Sequence, residues 1–317
     1  MYYPYLYGRK YELLALRDFA TNHPGDRNVS PVVEPLKSDV GDLKRAIQRL
    51  SSQNFPLTVI LNPVRGEFRD QANLSGWLSS LTSQVTPTVD FTPALLCDDR
   101  VSYADVDNFL NQFRSGSAVL VYNSPALSAI EVSRLDQDSR VGLQVIKAGG
   151  IEPQARGGLS PQKTIEILDC FNAQTRNADY GGAEFFSRQY LGFRQASCGY
   201  GDFTVLSTAI PGSGGPPGAV VVHATYKEPN SGEVWVEHFV SAETDREAGT
   251  VEGKFLDAAG QLCRQVASRP GEFGANVAIS SYQAQVAGNR SPGLGGNKRQ
   301  QILHHICLNR QILLGYI

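Results

Sequence analysis

Glu34, Asn62, Asp98, Asn123, Lys147 and Asp169 each stand at or just past the end of a short apolar run, and His223 lies within another. Carboxylates brought together in this way could hold a divalent cation, because oxygen ligands suit Mg²⁺ or Mn²⁺. They could also divide into an acid and a base, since like charges held close do not ionise independently. The candidate catalytic groups are Glu34, Asp98, Asp169 and His223. Glu34, Asp98 and Asp169 are the ligands if a divalent ion binds, although no spacing assigns a metal and the cofactor is unknown beyond Mg or Mn. The candidate substrate contacts are Lys37, Asn62, Arg65, Arg176, Asp179 and Asp202, because cations near a carboxylate mouth hold phosphate or carboxylate groups. A plainer reading stands beside each. Loops begin where strands end, and Asp or Asn there often caps the next helix. Arg176 and Asp179, three residues apart, could simply pair with each other.

These side chains meet only if the apolar runs are neighbouring parallel strands. Residues 29–34, 57–62, 91–97, 118–122, 141–146 and 164–168 read as six such strands, each followed by a polar loop, and most by a helical pattern. Strand starts recur every ~20–35 residues, the length of a βα unit. The runs are apolar throughout rather than alternating, as in a parallel sheet covered on both faces. No GxGxxG follows the first run, which argues against a dinucleotide fold. Consecutive βα units favour an α/β, TIM-like (β/α) barrel, whose catalytic groups sit at the C-terminal ends of the strands. Ser38/Asp39 and Ser124-Pro125 are the expected caps of the first and fourth helices.

The second half is less regular. Residues 203–207 and 220–226 read as strands seven and eight, separated only by the turn-rich stretch 211–218. Residues 234–240 follow a Pro-Asn-Ser-Gly turn and read as a hairpin partner of the 220–226 strand. Helices are predicted near 253–266 and 299–314. The expected organisation is one irregular barrel domain over 1–317, with the core in about 1–226 and a β-hairpin and C-terminal helices in about 227–317.

Complete catalytic signatures are missing. Gly212–Gly218 and Pro292–Lys298 are glycine-rich but lack the Lys-Ser/Thr ending of a phosphate loop, and read as flexible turns. Asn297, Lys298 and Arg299 could form a small anion site where a helix starts. No zinc spacing joins the histidines and cysteines, and no GxSxG is present. His223 within an apolar run fits a hydrogen-bonded core residue as well as a catalyst.

The 317 residues carry 29 basic and 31 acidic side chains, for a net charge of −2. That balance gives no global field for nucleic acid or membrane surfaces. The 41% hydrophobic content excludes a disordered chain. Five cysteines without paired spacing, and an opening segment without an apolar signal core, place the expected location in the cytoplasm.

Several segments carry a resemblance: YYPYLYGRKYELLALRD, SPVVEPLK, LDCFNAQTRNADY, GYGDFTVLS, GGPPGAVVVHATY, EHFVSAE, VEGKFLDA and SPGLGGNKRQQILHHI. Together, over residues 1–305, they resemble an uncharacterised bacterial family of Sce-type hypothetical proteins, itself distantly similar to the phage-associated Beta protein family. Members are often encoded beside a nuclease-like protein. The resemblance therefore implies a partner or sensor in a phage-defence or mobile-element conflict system. It carries over Glu34, Lys37, Asp169, Arg176, Asp179, Asp202, His223 and His238 as motif positions. Two departures stand out: GGPPGAV where the family has an aromatic after the proline, and Glu252 in place of Ala. The residues themselves support a different expectation, a metal-assisted hydrolase of phosphodiester or nucleotide bonds. Whether the chain is an enzyme stays open at this level, as does its oligomeric state.

Overall fold

The computed structural model describes residues 1–113, 118–206, 208 and 217–317. The chain divides into two compact units: Met1–Leu13 with His23–Asp169 and Gly192–Asp202, and Leu14–Asn22 with Cys170–Leu191 and Phe203–Ile317. Of the expected turn 211–218, residues 211–216 lie outside the described residues, as does Ser207 of the expected strand 203–207.

The first unit is an eight-stranded parallel barrel. Its strands are β1 (Tyr5–Leu6), β2 (Val32–Val33), β3 (Thr58–Ile60), β4 (Thr92–Cys97), β5 (Ala118–Tyr122), β6 (Val141–Lys147) and β7 (Thr164–Leu168). After β8 (Gly182–Ser187), which belongs to the second unit, β9 (Gly199–Asp202) takes the last place in the order β1-β2-β3-β4-β5-β6-β7-β9. Every neighbouring pair in that order is parallel. The two ends of the sheet meet through a parallel bridge between Tyr2 and Tyr200. Tyr3 N donates to Tyr200 O at 2.8 Å and Tyr200 N to Met1 O at 3.1 Å. β5 is buried at every position, as both-face coverage requires.

Glycine makes the closure possible. A Cβ on Gly199 would stand 2.5 Å from Tyr3 Cε2, and one on Gly201 would overlap the Tyr3 carbonyl oxygen and Ile167 Cδ1. Tyr3 thus occupies the space that side chains on β9 would fill. Because successive residues of a strand face opposite ways, Tyr200 and Asp202 point away from the face Gly201 lines.

The structure corrects the expected strand list at both ends. The barrel begins with β1, one strand before residues 29–34, and ends with β9 rather than with 203–207 and 220–226. Two caps also differ. The helix Gly41–Ser52 follows Val40 without a side-chain cap, while Asp39 Oδ1 accepts from Gly41 N at 2.8 Å. The helix Ala129–Gln137 is capped by Ser128 in a reciprocal box with Glu131, not by Ser124, whose φ is 57°.

The second unit is built on an antiparallel sheet in the order β10 (Val221–Lys227), β11 (Val234–Val240), β8. The hairpin expected between the last two runs is present, with His223 opposite His238. Val220, Val222, Ala224 and Tyr226 pack with Phe255, Ala258, Ala259 and Leu262 of the helix Val251–Ser268. Phe186, Val234 and Val236 pack with Leu308 and Ile312 of the helix Gly293–Leu313. Pro292–Lys298 is therefore not a flexible turn: Gly293 onward forms the opening turns of a long helix. Asn297 is buried inside it, donating to Val221 O at 2.9 Å and accepting from the Tyr282 hydroxyl at 2.8 Å, so the expected anion site at 297–299 is not a helix start. No helix among the described residues is long and apolar enough to cross a membrane.

Candidate functional site

The barrel strands deliver one cluster of ionisable groups to their C-terminal ends. Tyr5 lies in β1, and Tyr7 faces the same way two residues on. Glu34 directly follows β2, and Lys147 is the last residue of β6. Tyr5 donates its hydroxyl to Glu34 Oε2 at 2.5 Å, and Lys147 Nζ stands 3.6 Å from the same oxygen. Lys147 Nζ also lies 4.8 Å from the Tyr5 ring centroid. One residue pair further out, Arg65 Nη1 donates to the Tyr7 hydroxyl at 2.5 Å, with its guanidinium 5.1 Å from the Tyr7 ring centroid.

Glu34 is 0% exposed and Lys147 8%. The second carboxylate oxygen, Glu34 Oε1, is buried and has no hydrogen-bond partner. Leaving a charged acceptor unmade in the interior costs about 1–3 kcal/mol or more, so this oxygen is not there to stabilise the barrel. Burial pushes the Lys147 ammonium below its ordinary value, Glu34 pulls it back up, and Arg65 lowers it further. Burial raises the Tyr5 phenol well above its usual range, and the Glu34 charge and hydrogen bond add to that. Burial likewise raises Tyr7, partly offset by Arg65 and reinforced by Glu34 and, more weakly, Asp169. The arrangement is a buried carboxylate with one oxygen unpartnered, an amine whose proton affinity burial lowers, and a phenol donating to the carboxylate. Such a set can move protons, and the Arg65 guanidinium near it suits an anionic group.

The other expected site residues part company with it. Asp98 is a loop brace: it accepts from Arg100 N at 3.0 Å and binds the Arg100 guanidinium at 2.5 Å. Asn62 spends its amide extending the sheet, donating to Leu96 O at 2.8 Å and accepting from Leu96 N at 2.7 Å. Asp202 ends β9 rather than starting a strand, and its carboxylate accepts the Tyr2 hydroxyl at 2.7 Å in a buried contact. Lys37 is exposed and lines a small cleft with Gly8, Lys10, Asp39 and Asp42. Asp169 is exposed at the end of β7. Among the described residues no three His, Cys, Asp or Glu side chains gather as a metal-holding group. Glu34, Asp98 and Asp169 are therefore not one ligand set. Arg176 and Asp179 belong to the second unit and pair with each other at 2.6 Å in an exposed turn.

His223, also in the second unit, has a different setting. Its Nδ1 lies 2.7 Å from Nδ1 of His238 across the β10–β11 pair. His238 Nε2 lies 3.2 Å from Glu184 Oε1, and Asn172 Nδ2 donates to Glu184 Oε2 at 3.3 Å. The chain of contacts fixes the neutral tautomers. His238 donates from Nε2 to the carboxylate, so its Nδ1 is bare and accepts from the Nδ1–H of His223. Phe171 and Tyr180 enclose the pair, with centroids 4.9 and 4.6 Å from the His223 ring. Burial holds His223 well below its usual value, aided by His238 and Lys298. Burial also lowers His238, against the pull of Glu184.

Sequence reasoning placed Glu34 and Lys147 at strand ends and Arg65 in the loop after one, but did not select Lys147, and it missed Tyr5, Tyr7 and Glu184. The alternation of Tyr3, Tyr5 and Tyr7 was the available signal for β1: three aromatics on one face of a short strand. The chain matches no family model and no curated protein.

Proposed function

We propose that the barrel unit is an enzyme that moves protons on a small anionic substrate at the C-terminal end of the strands. The observation that carries this reading is Glu34, a fully buried carboxylate at a strand end with one oxygen unpartnered and a lysine 3.6 Å from the other. Barrel enzymes place their reacting groups at that end. In this reading Glu34 Oε1 takes or returns the substrate proton, and Tyr5 fixes the orientation of the carboxylate. Lys147 sets its charge, and Arg65 with Tyr7 receives the anionic group. Metal-assisted hydrolysis is not carried further, because its expected ligands do not form one set. A partnership with a nuclease-like protein in phage defence rests on the sequence resemblance, and co-purification of the two gene products tests it.

The test of the enzyme reading is binding. The full chain is screened by thermal shift against small mono- and dicarboxylates and phosphate esters, beside Arg65→Gln. A ligand that binds only the folded state raises the melting temperature by mass action. The expected result is a shift from one anionic class that Arg65→Gln loses. No shift from any member, or an equal shift in the variant, overturns the reading.

A further inference from the structure

We propose that Lys147 is a covalent amine nucleophile, and that the substrate is a small aldehyde or ketone bearing a carboxylate, the class that 2-oxo acids represent. The inference rests on the anion-site reading above and adds the chemistry. Three features of the cluster meet at one nitrogen. Lys147 ends a barrel strand and is almost wholly buried. Its Nζ lies 3.6 Å from Glu34 and against the Tyr5 ring, so an acid–base group is within reach of any bond the amine forms. Arg65 donates to the Tyr7 hydroxyl one residue pair further out, and its charge acts on both Lys147 and Tyr5, so it would receive an anionic substituent on the carbonyl compound.

The surroundings also raise the neutral fraction of the amine above that of an exposed lysine. Burial penalises the ammonium, and the nearby guanidinium adds to that penalty. A desolvated lysine beside another cation is the setting in which amine nucleophiles are activated. Lys254, another buried lysine, has a different role: its Nζ donates to the carbonyl oxygens of Gly218 at 2.7 Å and Asp245 at 2.5 Å. Its burial ties down backbone, whereas Lys147 Nζ stands 3.6 Å from a carboxylate whose second oxygen has no hydrogen-bond partner.

The step balances without any oxidant. The Nζ lone pair adds to the carbonyl carbon while the C=O π pair moves to oxygen. A proton passes from nitrogen to that oxygen through Glu34, giving a carbinolamine. Glu34 then takes the remaining N–H proton and delivers it to the departing oxygen, the C–O bond breaks, water leaves, and the nitrogen lone pair forms the C=N bond. The net change is amine plus carbonyl to imine plus water, with Glu34 restored.

The experiment is reductive trapping on the full chain. Pyruvate and glyoxylate serve as carboxylated probes, propanal as the neutral one, and cyanoborohydride supplies the hydride that converts imine to secondary amine. Adducts are located by tandem mass spectrometry. An exposed lysine is neutral in only about 1 part in 2,500 at pH 7, so labelling at Lys147 runs ahead of that at the exposed Lys10 and Lys37. The carboxylated probes outpace propanal in the unsubstituted protein, and Arg65→Gln removes that preference. Glu34→Gln slows adduct formation at Lys147, and Lys147→Arg abolishes it. Labelling spread evenly over exposed lysines, or none at Lys147, overturns the proposal. If the carboxylate thermal shift persists in that case, the anion site survives and only the covalent step falls. If the shift is absent as well, both fall.

Discussion

Removing the charge from Glu34 or from Lys147 should destabilise the barrel, and removing both should cost less than the two losses together. At 3.6 Å in a medium of effective dielectric about 20, the pair attracts by about 4–5 kcal/mol. Breaking a buried pair from one side typically costs about 3–5 kcal/mol, because the remaining charge is stranded. Glu34→Gln is the cleaner perturbation. It keeps the volume and an oxygen for the Tyr5 hydroxyl, so it isolates the charge from the packing. Lys147→Met is its counterpart, keeping most of the stem. The expected single losses are about 3 kcal/mol each, with a coupling of about 2–4 kcal/mol in the double variant. Equilibrium urea unfolding of the four proteins measures this, followed by a signal that reports the barrel transition. A coupling within about 0.5 kcal/mol of zero refutes the argument, since independent sites add to that accuracy. Such a result would mean that the two groups do not share a charge interaction, and the proton-moving set would lose its base.

Gly201→Ala should cost about 3 kcal/mol, at the upper end for overpacking, because the new methyl meets backbone at the Tyr3 carbonyl oxygen. Gly181→Ala, with nothing within 4 Å, serves as the control, and equal unfolding midpoints for the two would contradict the closure argument. Tyr2→Phe should cost about 1 kcal/mol by removing one buried hydrogen bond to Asp202; an unchanged stability would show that this bond carries no net weight in the closure. Acid should weaken the second unit through its histidine pair. His223 and His238 are held below their usual values when folded, so the unfolded chain binds more protons and stability falls as pH drops below about 6.5. Between pH 6.5 and 5 the slope is up to about 1.4 kcal/mol per pH unit for each histidine, and His223→Gln should reduce it; an unaltered slope speaks against the pair.

Six of the barrel strands were legible because a strand buried on both faces has to be apolar along its length. Residues 118–122 need no context to be recognised as such a strand. β1 and β9 were not legible, for opposite reasons. β1 is two residues long beside Pro4, too short for the alternation of Tyr3, Tyr5 and Tyr7 to stand out as a strand. β9 reads Gly-Tyr-Gly-Asp, and glycine counts against a strand until Tyr3 is seen to fill the space its side chains would take. The 220–226 run was correctly a strand and correctly a hairpin partner of 234–240. Only pairing could tell that it joins an antiparallel sheet and not the barrel, since a buried strand has the same composition in either place.

For the site, residue order by itself determined which polar groups stand at strand ends or in the loops after them, and Glu34, Arg65 and Lys147 are among them. It could not separate these from Asn62 and Asp98, which end strands equally well but are consumed by Leu96 and Arg100 within their own neighbourhoods. Tertiary structure decided that distinction. Hydrogen bonds act over about 3 Å, whereas Glu34 and Lys147 lie on strands separated by most of the barrel's length in sequence. Only closure of the ring brings an amine, a phenol and a carboxylate from three strands to one point, and burial there is what shifts their proton affinities.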